Sequence, residues 1–327
     1  MAADLFIRVA PSDTGTRPFN ACADFWTNES IWLDPPNPDQ TTAQENQAST
    51  IKVRVRNKGT ASIQFVKVRA YLLSPLVGLV RPGQALINFV SIPLTVPPIG
   101  TAPDGVVFDC GPWTPTSSQI SQTTDGHLCL AANCFQDPNL ADLPPFDGHD
   151  LQSTENFDMC NDAHQGQRNI HVVAFTQQKL GEPINFGFLV ASPDPEHPQD
   201  STVEILKLPS KRALHQSELL VLHSNPAIKI ARSETGRRHL LLVDDAGREI
   251  VMGFSRRKPI FHLDAPGLER RPHVRLAAFS EDTHPMSMKL QLSPKEKVGS
   301  MHAFDIVQRT PKGEILGGIR VITVVTP

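Results

Sequence analysis

The sequence has few aromatic residues and no apolar run of membrane-spanning length. Aromatic residues make up 6% of its 327 residues, with one tyrosine and three tryptophans. The N-terminus lacks the basic region followed by an apolar run that marks a secretory signal peptide, and no stretch is long enough to cross a bilayer as a helix. The sequence therefore predicts no membrane insertion and a cytoplasmic location. Non-classical export, or incorporation in a secreted particle, is the alternative.

Cysteine is scarce, and its spacing matches no redox or metal-binding motif. The chain has five cysteines, and none form a Cys-x-x-Cys pair. Without an export signal, we expect reduced thiols that are mostly buried. A disulfide between Cys134 and Cys160 is the alternative, and it would need an oxidising compartment.

Catalytic motifs are also lacking. A hydrolase nucleophile would need a sharp turn such as Gly-x-Ser-x-Gly, or a cysteine framed by a histidine base, and the sequence contains neither. We therefore predict a protein that is not an enzyme and that uses no cofactor. An enzyme with an unrecognised site remains an alternative.

Positive charge is absent from a long central segment. No Lys or Arg lies between Arg81 and Arg168, whereas ten Asp and Glu do. Up to Gln177 the chain has 10 basic and 17 acidic residues, and from Gln178 onward it has 21 and 17. Oppositely charged halves attract each other within a molecule or between neighbours. The pattern favours a protein partner or self-association as a homo-oligomer, with ordinary compositional scatter as the alternative.

The clearest structural signal lies between Ser49 and Pro75. Val53 and Val55 alternate with charged residues, and the alternation returns after the Asn57-Lys58-Gly59 turn. A period of two indicates a strand with one face in a core and the other in water. Two such strands joined by a short turn are typical of an antiparallel β-sandwich.

The chain as a whole predicts an all-β fold with two antiparallel, immunoglobulin-like sandwich domains. The 29 prolines suit short strands separated by turns. Residues 1–177 contain seven strand patterns and a long acidic loop over 136–167. Residues 178–327 contain a second set that ends in a long hairpin over 301–325. The only helix that we predict is a short one over 211–222.

The ordered motifs of the first part resemble bacterial CARDB-like, immunoglobulin-like β-sandwich proteins, which are adhesion-related surface or secreted modules. The motifs are Asp4-Leu5, Asp13-Thr14-Gly15, Trp26, Ile31-Trp32, VRVRNKG, Trp113-x-Pro115, HLCL and QRNIHVV. The resemblance covers roughly the first 175 residues. It implies a non-catalytic binding or scaffold domain.

Two metal sites are conceivable in and near the acidic loop. Carboxylate and amide oxygens on a flexible loop suit Ca²⁺, although the EF-hand spacing is absent. The calcium candidates are Asp147, Asp150, Asp158 and Asp162, with Asn156 and Asn161. Thiolate and imidazole ligands suit zinc, and those candidates are Cys134, His149, Cys160 and His164. A solvated acidic loop is the alternative to both.

Three basic clusters in the second half are candidates for a binding patch. They are Arg237-Arg238, Arg256-Arg257-Lys258 and Arg270-Arg271. Aromatic stacking residues are nearly absent around them and the pI is about 6.5, so we predict no nucleic-acid binding. Contact with the acidic half of a neighbouring copy is our preferred interpretation, and solvated turns are the alternative.

These observations together predict a non-enzymatic binding or structural protein that acts through its sandwich surfaces. It would serve as a subunit or decoration of a larger bacterial particle, or as an adhesion module. A carbohydrate- or calcium-binding module is the first alternative. Sandwich folds host many unrelated functions, so the fold alone does not choose among these.

Overall fold

The computed structural model describes residues 4–19, 22, 24–34, 43, 45–122, 127–142, 144–208, 228–232, 238–243, 249–252, 273–279 and 281–326. The chain divides into two compact units, Met1–Asn169 and Ile170–Pro327. The helix predicted over 211–222 lies outside the described residues. Within them, no helix is long and apolar enough to cross a membrane.

The first unit is almost entirely β-structure. Its strands are β1 (Leu5–Phe6), β2 (Ile31–Asp34), β3 (Ser49–Asn57), β4 (Ile63–Leu73), β5 (Leu76–Val77), β6 (Ile87–Val90), β7 (Leu94–Val96), β8 (Val106–Trp113), β9 (Cys129–Gln136) and β10 (Gln165–Arg168). A short helix, α1 (Ser117–Ile120), and a 3-10 turn at Pro82–Gln84 lie between strands. The predicted all-β fold class is confirmed, although the sequence did not indicate α1.

Two antiparallel sheets form the body of the first unit. In one sheet, β3 pairs with β1, β2 and β8. In the other, the order is β10-β9-β4-β6, and β7 also pairs with β4. Apolar side chains from both sheets form one buried cluster, which runs from Leu5 and Ile7 to Cys134. The two sheets therefore enclose the core of a sandwich.

The alternation in β3 sets the two faces of its sheet. Ile51, Val53 and Val55 are fully buried, which stabilises the fold by about 1.5–3 kcal/mol for each side chain. The alternate side chains, Lys52 and Arg54, point to the outer face and are half-buried. A core-facing set and a charged outer set are what the sequence predicts for this strand.

The second unit contains the remaining strands. They are β11 (Ile170–Thr176), β12 (Ile184–Ala191), β13 (Ser201–Lys207), β14 (Ile228–Arg232), β15 (Arg238–Val243), β16 (Glu249–Met252), β17 (His273–Leu276), β18 (Thr283–Leu290), β19 (Met301–Arg309) and β20 (Ile315–Thr326). One sheet has the order β11-β20-β19-β13-β17, and β14, β15 and β16 form another. Strand β12 pairs with β18. The β19–β20 hairpin is the one that the sequence predicts over 301–325.

Strand β11 departs from the sequence prediction in two ways. The sequence assigns RNIHVVAF to the first sandwich as its closing strand, with the domain boundary after 177. In the structure, β11 pairs with β20 from Ile170 to Thr176, and the pairing is parallel. The strand therefore belongs to the second unit, whose main sheet is mixed and not purely antiparallel. The first unit ends at Asn169.

Candidate functional site

Within the first unit, the acidic segment, residues 136–167, forms ion pairs with cations of strand β4. The Arg69 guanidinium binds both carboxylate oxygens of Asp150, at 2.8 and 2.6 Å. Lys67 forms an ion pair with Asp137, and its ammonium, which donates a hydrogen bond, lowers the pKa of that carboxyl. Part of the acidic excess is thus neutralised within its own unit.

A histidine held between two aspartates lies at the centre of this segment. The Nε2 atom of His164 is 2.9 Å from Asp147 Oδ1, and its Nδ1 atom is 2.7 Å from Asp162 Oδ1. Only the imidazolium form carries a proton on both nitrogens. The arrangement therefore holds His164 as a cation between two anions, and we call these three residues the His164 clamp.

Backbone contacts position each carboxylate of the His164 clamp. The other oxygen of Asp147 accepts hydrogen bonds from the backbone N–H groups of Asp4 and Leu5, which ties the clamp to β1. Asp162 accepts from the backbone N–H of His164, two residues later. Gly148 has a φ of +77°, and a Cβ there would lie 2.9 Å from the His164 ring. The position next to Asp147 therefore requires glycine.

The electrostatics of the His164 clamp follow from this geometry. Burial alone would lower the pKa of His164, but the hydrogen bonds and charges of Asp147 and Asp162 raise it to about 9. Burial would raise the pKa of each aspartate, but the hydrogen bond with His164 lowers both. All three groups are therefore charged over a wide range around neutral pH.

Each calcium candidate already contacts another side chain. Asp147 and Asp162 bind His164, Asp150 binds Arg69, and the exposed Asp158 accepts from the Asn161 side chain at 2.9 and 3.0 Å. Asn156 accepts from Arg81. Within the described part of the chain, no three His, Cys, Asp or Glu side chains are arranged to hold a metal ion. Calcium binding stays a prediction.

Three of the four zinc candidates are engaged in other contacts, although the Cys134 backbone N–H donates to the His164 carbonyl at 2.9 Å. Cys160 forms a disulfide with Cys22, so neither the expected reduced thiol nor the alternative bond to Cys134 is present. His149 is exposed and contacts Glu155 at 3.0 Å, whereas His164 lies in the clamp. A disulfide sulfur is no zinc thiolate, so Cys160 is excluded as a ligand, and zinc binding by Cys134, His149 and His164 stays a prediction.

The other three cysteines are buried thiols, as the sequence predicts. Cys110, Cys129 and Cys134 are buried and unbridged. Burial raises the pKa of the Cys110 and Cys129 thiols to about 12, and it raises that of Cys134 well above the ordinary value. Such thiols are poor nucleophiles at neutral pH, because the thiolate is the reactive form.

Most of the basic patch predicted in the second half lies outside the described residues. Arg238 begins β15, where it lies opposite Arg232 in the strand register. The residues not described are Arg237, Arg256, Arg257, Lys258, Arg270 and Arg271. Their joint role as a patch stays a prediction.

A different group of cations gathers on the outer face of the first unit. Ser30 contacts three arginines. Its hydroxyl donates to the backbone carbonyl of Arg8 at 3.0 Å and accepts from Arg56 Nη1 at 3.4 Å. Its backbone carbonyl accepts from the Arg54 backbone N–H at 2.8 Å. The Arg54 guanidinium also lies over the Trp32 ring, 5.3 Å from its centroid. We call Arg8, Arg54 and Arg56 the arginine cluster.

The arginines of the cluster lack the ion pairs that neutralise the neighbouring Lys52. Lys52, two residues before Arg54 on the same face of β3, forms ion pairs with Asp34 and Asp109 at 3.5 and 2.8 Å. No ion pair forms at any of the three arginines among the described residues. Burial, and then the charges of Arg8 and Arg54, lower the pKa of Arg56 to about 10. The cluster is therefore a site of concentrated positive charge.

The sequence contains only part of the signal for this cluster. Arg54 and Arg56 belong to the charged alternate positions of β3, which are expected to face water. Arg56 is instead only 5% exposed. Arg8 and Ser30 come from separate segments, and no local pattern marks their approach to β3.

Comparison with known proteins does not assign a family. No family model and no curated protein matches the chain. Among solved structures, it is similar to a transglutaminase from red sea bream, at 9% identity and a TM-score of 0.19, over 91% of this chain and 31% of that one. It is also similar to a collagen adhesin from S. aureus, at 8% identity and a TM-score of 0.18, over 92% and 94%. TM-scores this low support no conclusion about the family or function of this chain. The CARDB-like resemblance stays a prediction.

Proposed function

We propose that this chain is a non-enzymatic structural protein that associates with copies of itself through the outer sheet face of its first unit. The observation that carries the proposal is the arginine cluster, where the charges of Arg8 and Arg54 act on Arg56. Among the described residues, the Arg8 side chain donates only to the backbone carbonyl of Asp13, and no ion pair forms at the three arginines. Guanidinium groups are suited to carboxylate recognition, because their planar fork matches both carboxylate oxygens. A cationic face of this kind suits an acidic protein surface.

The acidic segment of a second copy offers such a surface. Asp142 and Asp158 are exposed, and neither forms an ion pair with a cation in the part of the chain that the structure describes. The first unit thus carries both a cationic face and exposed carboxylates. A head-to-tail contact between copies would join the two, and repeated contacts of this kind build rings or filaments.

The proposed role is that of a subunit or decoration of a larger particle, or of an adhesion module. The disulfide between Cys22 and Cys160 supports a site of action in an oxidising compartment, since disulfides persist there and are rare in the cytosol. This favours incorporation in a secreted particle over the cytoplasmic location that the sequence predicts.

The particle mass in solution, measured by light scattering, tests the proposal. We expect assemblies in about 0.1 M sodium chloride that dissociate in about 1 M, because the Debye length falls from about 10 to about 3 Å. Arg54→Gln should weaken assembly more than Lys52→Gln, which removes the same charge from the same face of β3. A monomer at low salt, or an assembly indifferent to both salt and Arg54→Gln, would refute the proposal.

A further inference from the structure

The arginine cluster has a buried floor and a more accessible rim. Arg56 is 5% exposed, and Arg8 and Arg54 are half-buried around it. The Nε atoms of Arg54 and Arg56 are buried, and neither has a hydrogen-bond acceptor among the described residues. Buried donors without acceptors are costly, typically by about 1–3 kcal/mol each. Arg54 and Arg56 are alternate residues on one face of β3, so an acceptor from outside the chain that bound their guanidinium groups would offset part of this cost.

We propose that Arg8, Arg54 and Arg56, gathered around Ser30, form a binding site for a single carboxylate group presented by a protein partner. This inference rests on the proposed function and deepens it, because it names the chemical group that the outer sheet face recognises.

Ser30 and Trp32 make the cluster a built site and not a chance group of surface cations. Ser30 is itself fully buried, and its backbone N–H donates to the Asn28 side chain at 2.7 Å, which fixes its position. The Trp32 ring holds the Arg54 guanidinium from one side. A pre-positioned guanidinium loses less conformational freedom when it binds an anion.

The net charge of the surroundings favours a monoanion. The three arginines contribute three positive charges, while Glu29 and Asp104 are the negative groups near enough to raise the pKa of Arg56. Glu29 and Asp104 thus offset part of the positive charge at Arg56, and a small anion is the ligand that this environment suits best. A carboxylate supplies one negative charge, whereas a phosphate monoester supplies about two at neutral pH.

A titration of the full-length protein with small peptides tests this site. The probe is N-acetyl-Gly-Glu-Gly-amide, and its neutral control is N-acetyl-Gly-Gln-Gly-amide. Inorganic phosphate serves as the comparison ligand with about two negative charges, and the ionic strength is the same in all titrations. Backbone amide signals of Ser30 and Arg54 are followed by nuclear magnetic resonance. We expect saturable shifts with the glutamate peptide only, with a dissociation constant on the order of 1 mM.

Matched variants assign the binding to the cluster. Arg54→Gln should lower the affinity for the glutamate peptide by about tenfold, which is the usual loss when a charged hydrogen-bonding partner is removed. Arg54→Lys, which keeps the charge and loses the fork, should bind with intermediate affinity. Lys52→Gln should change the affinity by less than about twofold, because that charge is already paired.

Three results would overturn the inference. They are equal shifts with the glutamate and glutamine peptides, tighter binding of phosphate than of the glutamate peptide, and equal losses in Arg54→Gln and Lys52→Gln. The test is separate from that of self-association. Carboxylate binding by a protein that stays monomeric would refute the proposed assembly and keep the site, whereas assembly without carboxylate binding would refute the site alone.

Discussion

Raising the pH from about 6 to about 9.5 should remove most of the stabilisation that His164 gives to the first unit. The pKa of His164 is about 9 in the folded protein, against an ordinary value of 6.5. At about 1.4 kcal/mol per pH unit, this difference corresponds to about 3 kcal/mol. Because the folded pKa is raised, the contribution is fully present below pH 6.5 and is lost as the pH rises toward 9.

At acidic pH the two aspartates limit the same stabilisation, which is then lost as the pH falls. The pKa values of Asp147 and Asp162 are lowered in the folded protein, so their contribution is present above the ordinary value of 3.8 and is lost as the pH falls below it. The buried Cys134 thiol faces these two carboxylates, and its raised pKa keeps it neutral in this range. The clamp is therefore most stabilising between about pH 4 and 6.5.

Urea unfolding followed by tryptophan fluorescence measures this effect in the right unit, since all three tryptophans, Trp26, Trp32 and Trp113, lie in the first unit. The free energy of unfolding of His164→Gln is subtracted from that of the wild type at each pH. We expect a difference of about 3 kcal/mol at pH 6 that shrinks to under about 1 kcal/mol at pH 9.5. His149→Gln is the control, because its exposed ion pair with Glu155 should contribute less than about 1 kcal/mol.

A difference between the wild type and His164→Gln that stays constant from pH 6 to pH 9.5 would refute this reasoning. So would a difference that grows with pH, since it would mean that the neutral imidazole is the form stabilised by the fold.

Three other perturbations have expected outcomes. Replacing Cys22 and Cys160 together by serine should cost about 2–5 kcal/mol in the same urea experiment, because the bond closes a long loop, and a reductant should destabilise the wild type equally. Asp305→Asn should lower the free energy of unfolding of the second unit by about 3–5 kcal/mol, measured by calorimetry, because it leaves the buried Arg320 guanidinium without its paired carboxylate. The Cys129 thiol should react with iodoacetamide only after denaturation, and rapid alkylation of the native protein would contradict its burial.

The sequence predicts the strands well and their partners less well. Strand β3 was recognisable because a core face and a charged face alternate along it, and the β19–β20 hairpin because a short turn joins its strands. Strand β11 carries a similar apolar pattern, but its partner lies far along the chain, with Ile170 opposite Arg320. An apolar run indicates a buried strand and contains no information on which sheet it joins.

The site predictions were limited for the same reason. The calcium and zinc interpretations assumed that residues close in the sequence face one another. Instead, Asp150 reaches Arg69 on β4, and Cys160 reaches Cys22 at a sequence separation of 138 residues. The arginine cluster likewise depends on strand pairing, which brings Ser30 alongside Arg54. Long-range contacts set the partners of each charge, and local spacing does not.

The most direct test of self-association through the arginine cluster is the particle mass of the wild type with saturating N-acetyl-Gly-Glu-Gly-amide, at low and constant ionic strength. If a carboxylate of a second copy occupies the cluster, the glutamate peptide will displace it and the mass will fall to that of one 35.9 kDa chain. The glutamine peptide will leave the mass unchanged. Assemblies that persist with the glutamate peptide, or that dissociate equally with both peptides, would contradict the account.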